Sequence, residues 1–335
     1  SSGIDEIPDW FEKYRDLEEL SISDVAINYI TPNIEKNKHL KSLKFNAIVG
    51  TNIEYWNGPF TSLENLTITR CSIQNFPMWI RSLSKLKILN LKHNKIAVVP
   101  NWIGELGDLR EIHINKNEIR YLPNNFAQLK GLEKLNAGYN KITRIPFWLG
   151  SMKNLKTLFL NDNSIYCYPQ FIDNDIPLSI IRLENNDLTE FPRCLCKLRN
   201  ICQIHLENNL IQNFSEESVS WPALQILDLS DNLLQEISFV NSECPEIHYL
   251  DLSGNAISSL PNDIENLKNL RMLNLSRNKI EKLPDGISSL IQLRHLNLEK
   301  NVLSELPEEF GCLKNLSILN LLATNLTYFP TSFQN

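Results

Sequence analysis

The sequence repeats one pattern of apolar residues at a fixed interval of 23 residues. The pattern L-x-x-L-x-L-x-x-N-x-L begins at Leu17 and recurs without insertion or deletion until the copy at Leu316, which gives fourteen copies. A unit of this size cannot bury its apolar face alone, so consecutive units must stack and cover one another. The period therefore predicts a single solenoid over residues 17–335, with residues 1–16 as the remnant of a preceding unit.

Each copy predicts a short strand, a turn and an extended segment that leads back to the next strand, which we call the return. In the copy that begins at Leu270, Leu273 and Leu275 alternate with polar residues, as in a strand whose leucines point inward. Asn278 then turns the chain, and ten consecutive copies carry Asn at this position. The amide both donates and accepts hydrogen bonds, so these residues predict a ladder through the stack. The return is too short and too rich in Pro for an α-helix, which favours an extended or 3₁₀ segment.

The complete pattern, L-x-x-L-x-L-x-x-N-x-L-x-x-L-P-x-x-I, resembles the leucine-rich repeats of intracellular signalling and scaffold proteins. Similar repeats occur in Ras-group-related plant proteins, scribble-type polarity scaffolds, Roco proteins, fungal adenylyl cyclases, and bacterial and protist proteins. The resemblance implies an α/β solenoid, a leucine-rich-repeat horseshoe with a parallel β-sheet on the concave face and extended or 3₁₀ segments on the convex face. It also implies a module that recognises proteins.

Composition narrows the class of partner and the compartment. The formal net charge of -6 argues against binding nucleic acid through a general positive field. The sequence contains no apolar run of the length that a membrane helix needs. Its 7 cysteines are an odd number and are spread along the chain, which favours a reducing, cytoplasmic location. We expect a protein partner, no nucleic acid and no membrane insertion, with the oligomeric state open.

The outward residues of the strands give a map of the predicted concave face. The middle copies change from basic to acidic along this face, and aromatic residues and Arg182 lie near the change. Such residues are typical anchors of protein interfaces, although a water-exposed sheet also carries mixed charges for solubility alone. The predicted partner contacts are His113, Asn136, Tyr139, Phe159, Arg182, His205, Asp228, Tyr249 and Asp251.

A column of tryptophans follows the proline position on the opposite, convex side. Its members include Trp56, Trp79, Trp102 and Trp148. We expect these rings to stack along the convex surface beside the prolines, with a second docking strip as the alternative.

Residues that could support catalysis or bind a cofactor are scarce. Cys194, Cys196, Cys202 and His205 are the only cluster that hints at a metal, and their repeat positions make the side chains diverge. No phosphate-binding glycine motif occurs, and no histidine forms a recognisable motif with a nucleophile. The sequence therefore predicts no enzyme activity, no metal site and no cofactor.

Three functions remain open at this level. The favoured one is a non-catalytic recognition module or scaffold. The second is the sensor or substrate-recruiting arm of a larger kinase, GTPase, cyclase or ubiquitin ligase, because the ends lack capping segments and suggest part of a longer chain. The third is a surface adhesin, which the lack of flanking cysteine caps disfavours.

Overall fold

The computed structural model describes residues 13–14, 16–26, 38–48, 53–55, 60–170, 176–196, 198–214, 219–239 and 244–334. The chain divides into two compact units, Ser1–Ser164 and Ile165–Asn335. Each unit is built from parallel strands, one from each repeat, and from returns that contain 3₁₀ helices. Among the described residues there is no α-helix; all helical segments of these residues are 3₁₀ helices. None of the described helices has the length and apolar character needed to span a bilayer.

The strands of each unit pair in parallel with their sequence neighbours. The strands of the first unit are β1 (Glu19–Ser23), β2 (Ser42–Asn46), β3 (Asn65–Thr69), β4 (Ile88–Asn90), β5 (Glu111–His113), β6 (Lys134–Asn136) and β7 (Thr157–Phe159). Those of the second unit are β8 (Ile180–Arg182), β9 (Gln203–His205), β10 (Ile226–Asp228), β11 (Tyr249–Asp251), β12 (Met272–Asn274), β13 (His295–Asn297) and β14 (Ile318–Asn320). Equivalent residues lie opposite each other, as Leu227 does to Leu250.

The 3₁₀ helices begin directly after the repeated prolines in most returns. Proline fits there because its fixed φ suits the entry to a helix and the first turn needs no donor from it. In the first unit the 3₁₀ helices are Ile53–Tyr55, Met78–Ser82, Asn101–Glu105, Asn124–Gln128 and Phe147–Ser151. In the second unit they are Arg193–Leu195, Asn262–Asn266, Asp285–Ser289, Glu308–Cys312 and Thr331–Gln334.

The core of each unit consists of the inward leucines and isoleucines of the repeat. Leu89 and Leu135 in the first unit and Leu227 in the second have no exposed surface. Trp221 stands at a position that other repeats fill with leucine; it is fully buried, and its indole N–H donates to the carbonyl of Leu195 at 2.6 Å. That bond satisfies the polar atom of a large buried ring.

The repeated asparagines form the predicted ladder within each unit. Asn232 shows the pattern: its Nδ2 donates to the carbonyls of Leu206 (2.9 Å) and Leu229 (3.1 Å), and its Oδ1 accepts from the N–H of Ile211 (3.0 Å). One side chain thus satisfies backbone groups of its own repeat and of the preceding one. Thr324, which replaces Asn in the last copy, keeps one of these bonds by donating to Leu321 at 2.8 Å.

The residue before each ladder asparagine adopts a left-handed conformation. His93, Tyr139, Asp231 and Arg277 have φ of 57°, 54°, 50° and 56°, and Gly254 has 66°. Residues other than Gly rarely adopt this conformation, because the Cβ crowds the neighbouring carbonyl. The tight bend brings the asparagine under the strand, so we attribute the tolerance of this conformation to the bonds of the ladder.

Replacing Asn232 by Ala should lower the free energy of unfolding by about 1–3 kcal/mol, because buried backbone groups lose their partner. The measurement is chemical denaturation of the variant beside the wild type. The control is Asn266→Ala, at an exposed position of a 3₁₀ helix, which should change stability by less than about 0.5 kcal/mol. Equal effects of the two substitutions would contradict a structural role for the ladder.

Candidate binding surface on the strand face

The strand face consists of the strand side chains that alternate with the inward leucines. Its most regular feature, which we call the outward column, is the last residue of each strand from β4 to β14. In the first unit, the column residues lie opposite one another on successive parallel strands, in the order Asn90, His113, Asn136 and Phe159. In the second unit the order is Arg182, His205, Asp228, Asp251, Asn274, Asn297 and Asn320.

Most of the outward column stabilises the end of its own strand. Wherever the column residue is Asn or Asp, its Oδ1 accepts a hydrogen bond from the backbone N–H two residues later, at 2.9–3.2 Å. This Asx turn prepares the left-handed bend that follows. The residues that make it are Asn90, Asn136, Asp228, Asp251, Asn274, Asn297 and Asn320.

Asp251, which the sequence predicts as a partner contact, is a structural residue. Its side chain is buried, with 7% of the residue exposed. Oδ1 accepts from both the N–H and the hydroxyl of Ser253, at 2.9 and 2.6 Å. Oδ2 accepts from Asn274 at 2.9 Å and from the hydroxyl of Tyr249 at 3.3 Å. The carboxylate is fully used inside the sheet, which corrects its assignment as a partner contact.

Four column residues depart from the Asx pattern: His113, Phe159, Arg182 and His205. All four are among the predicted contacts. His113 is largely buried, and its Nε2 lies 3.1 Å from Oε2 of Glu111. Burial lowers the pKa of His113, against the effect of Glu111. Phe159 is half-buried, and Arg182 is exposed.

Basic residues surround the strand face of the first unit. Lys116 places its Nζ 4.9 Å from the ring centre of Tyr139, which is 49% exposed in the left-handed bend after β6. This distance is within the range of a cation–π contact. His93 stands at the same bend two repeats earlier, and burial together with nearby cations, Lys116 first, lowers its pKa. The first unit therefore presents positive charge and an aromatic ring.

The second unit brings together a histidine and two carboxylates. His205 ends β9, Glu207 follows two residues later, and Asp228 lies opposite His205 on β10. One ligand atom from each of the three lies within 4.8 Å of the others, and Nδ1 of His205 is 3.9 Å from Oε2 of Glu207. Asp228 is among the predicted contacts, whereas Glu207 belongs to the acidic stretch of the predicted concave face without being a predicted contact. The 23-residue period and the two-residue strand spacing together would have placed all three side by side.

Burial disfavours the charged forms of all three side chains in this cluster. Burial, with Arg182 adding a smaller effect, lowers the pKa of His205 to about 4. Burial and the carboxylates of Asp228 and Glu184 raise the pKa of Glu207 to about 7. Burial also raises the pKa of Asp228, although Ser230 hydrogen-bonds its carboxylate. At neutral pH His205 is therefore uncharged, and Glu207 is near its midpoint of titration.

Arg182 and Tyr249 flank this cluster on neighbouring strands. Arg182 lies 3.6 Å from a carboxylate oxygen of Glu184, and 45% of its side chain is exposed. Burial and the carboxylates of Asp251, Asp228 and Glu207 raise the pKa of Tyr249, so the hydroxyl stays protonated and donates to Asp251. Of these residues, Arg182 offers the most accessible charged group.

The tryptophans of the opposite side belong mainly to the core. Trp79 and Trp148 are 5% and 6% exposed, Trp102 is half-buried, and Trp56 lies outside the described residues. Each ring packs on a phenylalanine of the preceding repeat: Trp79 on Phe60 (5.9 Å between ring centres), Trp102 on Phe76 (5.4 Å) and Trp148 on Phe126 (5.2 Å). These contacts join tryptophan to phenylalanine, and the buried rings of Trp79 and Trp148 offer little surface for docking.

The exposed aromatic surface on that side comes from other residues. A cleft of about 1100 Å³ in the first unit is lined by Tyr121, Phe147, Arg120 and Arg144 among others. Tyr121 is 52% and Phe147 61% exposed. Tyr121 and Arg144 share one repeat position, but Arg120 and Phe147 lie at two others, so no single column of repeat positions marks this cleft in the sequence.

The cysteines near β9 do not join His205. Cys194 and Cys196 are buried around the 3₁₀ helix Arg193–Leu195, and burial raises the pKa of the Cys194 thiol to about 12. Within the described part of the chain, the group of His, Cys, Asp and Glu with the spacing of metal ligands is His205, Glu207 and Asp228.

Comparisons with known families agree with this architecture. Models described as leucine-rich repeat region, leucine rich repeat and leucine rich repeat match residues 74–239, 222–280 and 292–313, respectively. The chain is a leucine-rich-repeat protein. No curated protein sequence gives a significant match.

Solved structures show the same fold over nearly the whole chain. A leucine-rich-repeat protein of Leptospira interrogans is 27% identical, with a TM-score of 0.74, and the alignment covers 97% of this chain and 89% of that one. Toll in the Drosophila Toll–Spatzle complex is 23% identical, with a TM-score of 0.83 and coverage of 98% and 47%. The ectodomain of the Arabidopsis receptor kinase GASSHO1/SCHENGEN3, in complex with Casparian strip integrity factor 2, is 23% identical, with a TM-score of 0.61 and coverage of 98% and 44%.

Asp251→Ala should lower the free energy of unfolding by about 1–3 kcal/mol, because it removes the Asx turn and leaves buried donors without an acceptor. Asp251→Asn should cost less, because Asn makes the same turn at Asn274 and Asn297. Denaturant titration of both variants measures the difference. Identical stability of Asp251→Ala and wild type would restore Asp251 as a surface contact.

His205 and Glu207 should give opposite pH dependences of stability. Because the pKa of folded His205 is about 4, below its usual 6.5, protonation favours the unfolded chain as pH falls from 6.5 towards 4. Because the pKa of folded Glu207 is about 7, above its usual 4.5, protonation favours the folded chain as pH falls from 7 towards 4.5. In wild type the two effects largely cancel.

Single variants should separate these effects. Relative to wild type, His205→Gln should gain stability on acidification, and Glu207→Gln should lose it, each by on the order of 1–3 kcal/mol. Urea denaturation between pH 4.5 and 7.5, in buffer with a chelator, gives the two difference curves. Curves of the same sign would contradict the assignment.

Proposed function

We propose that this chain is a non-catalytic protein-recognition module that binds a protein partner through its strand face. The leucine-rich-repeat fold is generally a protein–protein interaction module, and the family and structural matches support that general role. Two structures of this fold, Toll with Spatzle and GASSHO1/SCHENGEN3 with Casparian strip integrity factor 2, hold a partner. At 23% identity these two relatives support the fold and leave the identity of this chain's partner to experiment.

The observation that carries the proposal is the interruption of the Asx pattern in the outward column. Asn or Asp at this position closes the strand end, so repetition alone would favour it in every copy. His113, Phe159, Arg182 and His205 replace it in four of the middle copies. Aromatic rings, imidazoles and guanidinium groups are the side chains that anchor protein interfaces. These positions therefore give up a local stabilising bond for groups suited to recognition.

The charge of the two units adds a second argument. The strand face of the first unit carries Lys92, Lys116 and Lys134, while that of the second carries Glu207 and Asp228. Charges of one sign on one surface increase the rate of encounter with a partner of opposite charge. We therefore propose a partner with an acidic segment that meets the first unit, while the carboxylates of the second unit attract a cation, either a basic side chain of the partner or a metal ion.

We also propose that the protein acts in the cytoplasm as a signalling or scaffold component. Free thiols support this location, since thiols persist in a reducing compartment. Cys71, Cys167, Cys194, Cys202 and Cys312 are free thiols in the structure. The resemblance of the repeat to those of scribble-type, Roco and Ras-group-related proteins is in keeping with this proposal.

The test compares one change on the strand face with one on the opposite side. Phe159→Glu with Arg182→Glu reverses charge and removes the aromatic anchor on the strand face. Met78→Ser with Phe147→Ser is the matched control, because these side chains are 59% and 61% exposed in 3₁₀ helices. Affinity capture from the native lysate, followed by titration with the purified captured protein, measures binding. All three proteins must first show the same thermal melting.

The strand-face variant should lose at least about tenfold in affinity, and the control variant should bind as wild type does. Equal binding by wild type and the strand-face variant would contradict the proposal. Loss confined to the control variant would instead assign recognition to the cleft around Phe147.

A further inference from the structure

The cluster of His205, Glu207 and Asp228 has a geometry that protein–protein recognition does not require. The three side chains converge from two adjacent strands, with ligand atoms within 4.8 Å of one another. Two side-chain atoms of the cluster residues, Nε2 of His205 and Oε2 of Glu207, are buried and have no hydrogen-bond partner. A buried polar atom without a partner is costly, so its retention calls for an explanation such as a bound ion.

The backbone under the cluster is fixed. His205 and Asp228 are register partners in the parallel sheet, and Glu207 lies two residues after His205 on the same face. Asn208, the next residue, adopts the left-handed bend with φ of 54°, and Asn209 anchors the turn through its ladder bonds to Leu183 and Leu206. Only side-chain torsions need to change for the three ligand atoms to approach one another.

The electrostatic environment favours a cation. Glu184, Glu207, Asp228 and Asp251 place four carboxylates in this part of the second unit, and Arg182 is the guanidinium beside them. A neutral imidazole offers a ring nitrogen with a lone pair for a metal, and His205 supplies this group to the cluster. The mutual repulsion of Glu207 and Asp228 would be relieved by a divalent ion between them.

We propose that His205, Glu207 and Asp228 bind a divalent zinc ion on the strand face of the second unit. One imidazole nitrogen and two carboxylate oxygens are ligands that Zn²⁺ accepts, with bond lengths of about 2.0–2.2 Å. In the tetrahedral geometry of zinc, atoms bound to one such ion lie about 3.4 Å apart. The pair His205 Nδ1 and Glu207 Oε2, at 3.9 Å, needs only small side-chain rotations to reach this separation. Water or a side chain of a partner completes the coordination.

Two neighbouring groups position the ligands. The hydroxyl and the N–H of Ser230 both donate to Oδ1 of Asp228, at 2.7 and 3.0 Å, which orients Oδ2 as the ligand atom. Such bonds to a ligating carboxylate fix its direction in metal sites. Tyr249 remains a protonated donor to Asp251, so it borders the site without binding the ion. The positive charge of Arg182 repels the bound cation. We therefore expect the exposed Arg182 side chain to point away from the site.

Isothermal titration of the chelator-treated protein with Zn²⁺ tests this site. We expect one ion per chain. Replacing His205 by Gln or Asp228 by Asn should each weaken binding by at least about tenfold. Asp228→Asn is informative because Asn keeps the Asx turn, as Asn274 does, so the strand end is retained. Glu299→Gln, at the repeat position of Glu207 four copies later, should bind Zn²⁺ as wild type does.

Co²⁺ gives an independent readout of the histidine ligand. The wild-type complex should show visible d–d absorption that His205→Gln loses, and Mg²⁺ should not displace Co²⁺, because Mg²⁺ prefers oxygen ligands. Thermal melting in chelator must show that each variant is folded. Absence of saturable Zn²⁺ binding, unchanged binding in both ligand variants, or equal binding of Mg²⁺ would each overturn the proposal.

Discussion

The buried asparagine side chain at the turn is the interaction on which the rest of the structure depends. A strand of three residues and a 3₁₀ return leave many backbone groups that regular secondary structure does not pair. At Asn232 the amide bonds carbonyls of two successive repeats and one N–H group. Leucine packing supplies most of the favourable free energy, but it has no direction. The amide supplies the direction, because its donors and acceptor can be satisfied by only one bend of the chain.

That bend also determines what the strand face can present. The left-handed residue before the ladder asparagine and the Asx turn at the strand end together fix the outward column. Seven column positions from β4 onwards are Asn or Asp and are used by the fold. The remaining four, His113, Phe159, Arg182 and His205, are neither Asn nor Asp and do not make the Asx turn. If these four residues serve the proposed recognition, they do so at a cost in local stability, as is common where function and fold compete for one position.

The sequence was sufficient to predict the strands, the ladder and the 3₁₀ returns, because each depends on contacts that repeat every 23 residues. It was sufficient to place His205 opposite Asp228 for the same reason. It did not reveal the left-handed bend, because Tyr139 and Arg277 have no preference for that conformation and adopt it only under the ladder's constraint, although His93, Asp231 and Gly254 at the same repeat position favour it more. The burial of Asp251 and the raised pKa of Glu207 depend on neighbouring side chains, which differ from copy to copy.

We propose that the four interrupting residues, His113, Phe159, Arg182 and His205, serve recognition at the expense of the fold. The most direct test of this proposal is the thermal melt of one variant that carries His113→Asn, Phe159→Asn, Arg182→Asn and His205→Asn together. If the account is correct, each new asparagine makes the Asx turn of the other repeats, and the melting temperature equals or exceeds that of wild type. A marked drop in melting temperature would show that these side chains hold the sheet together, and the account of the strand face would fail.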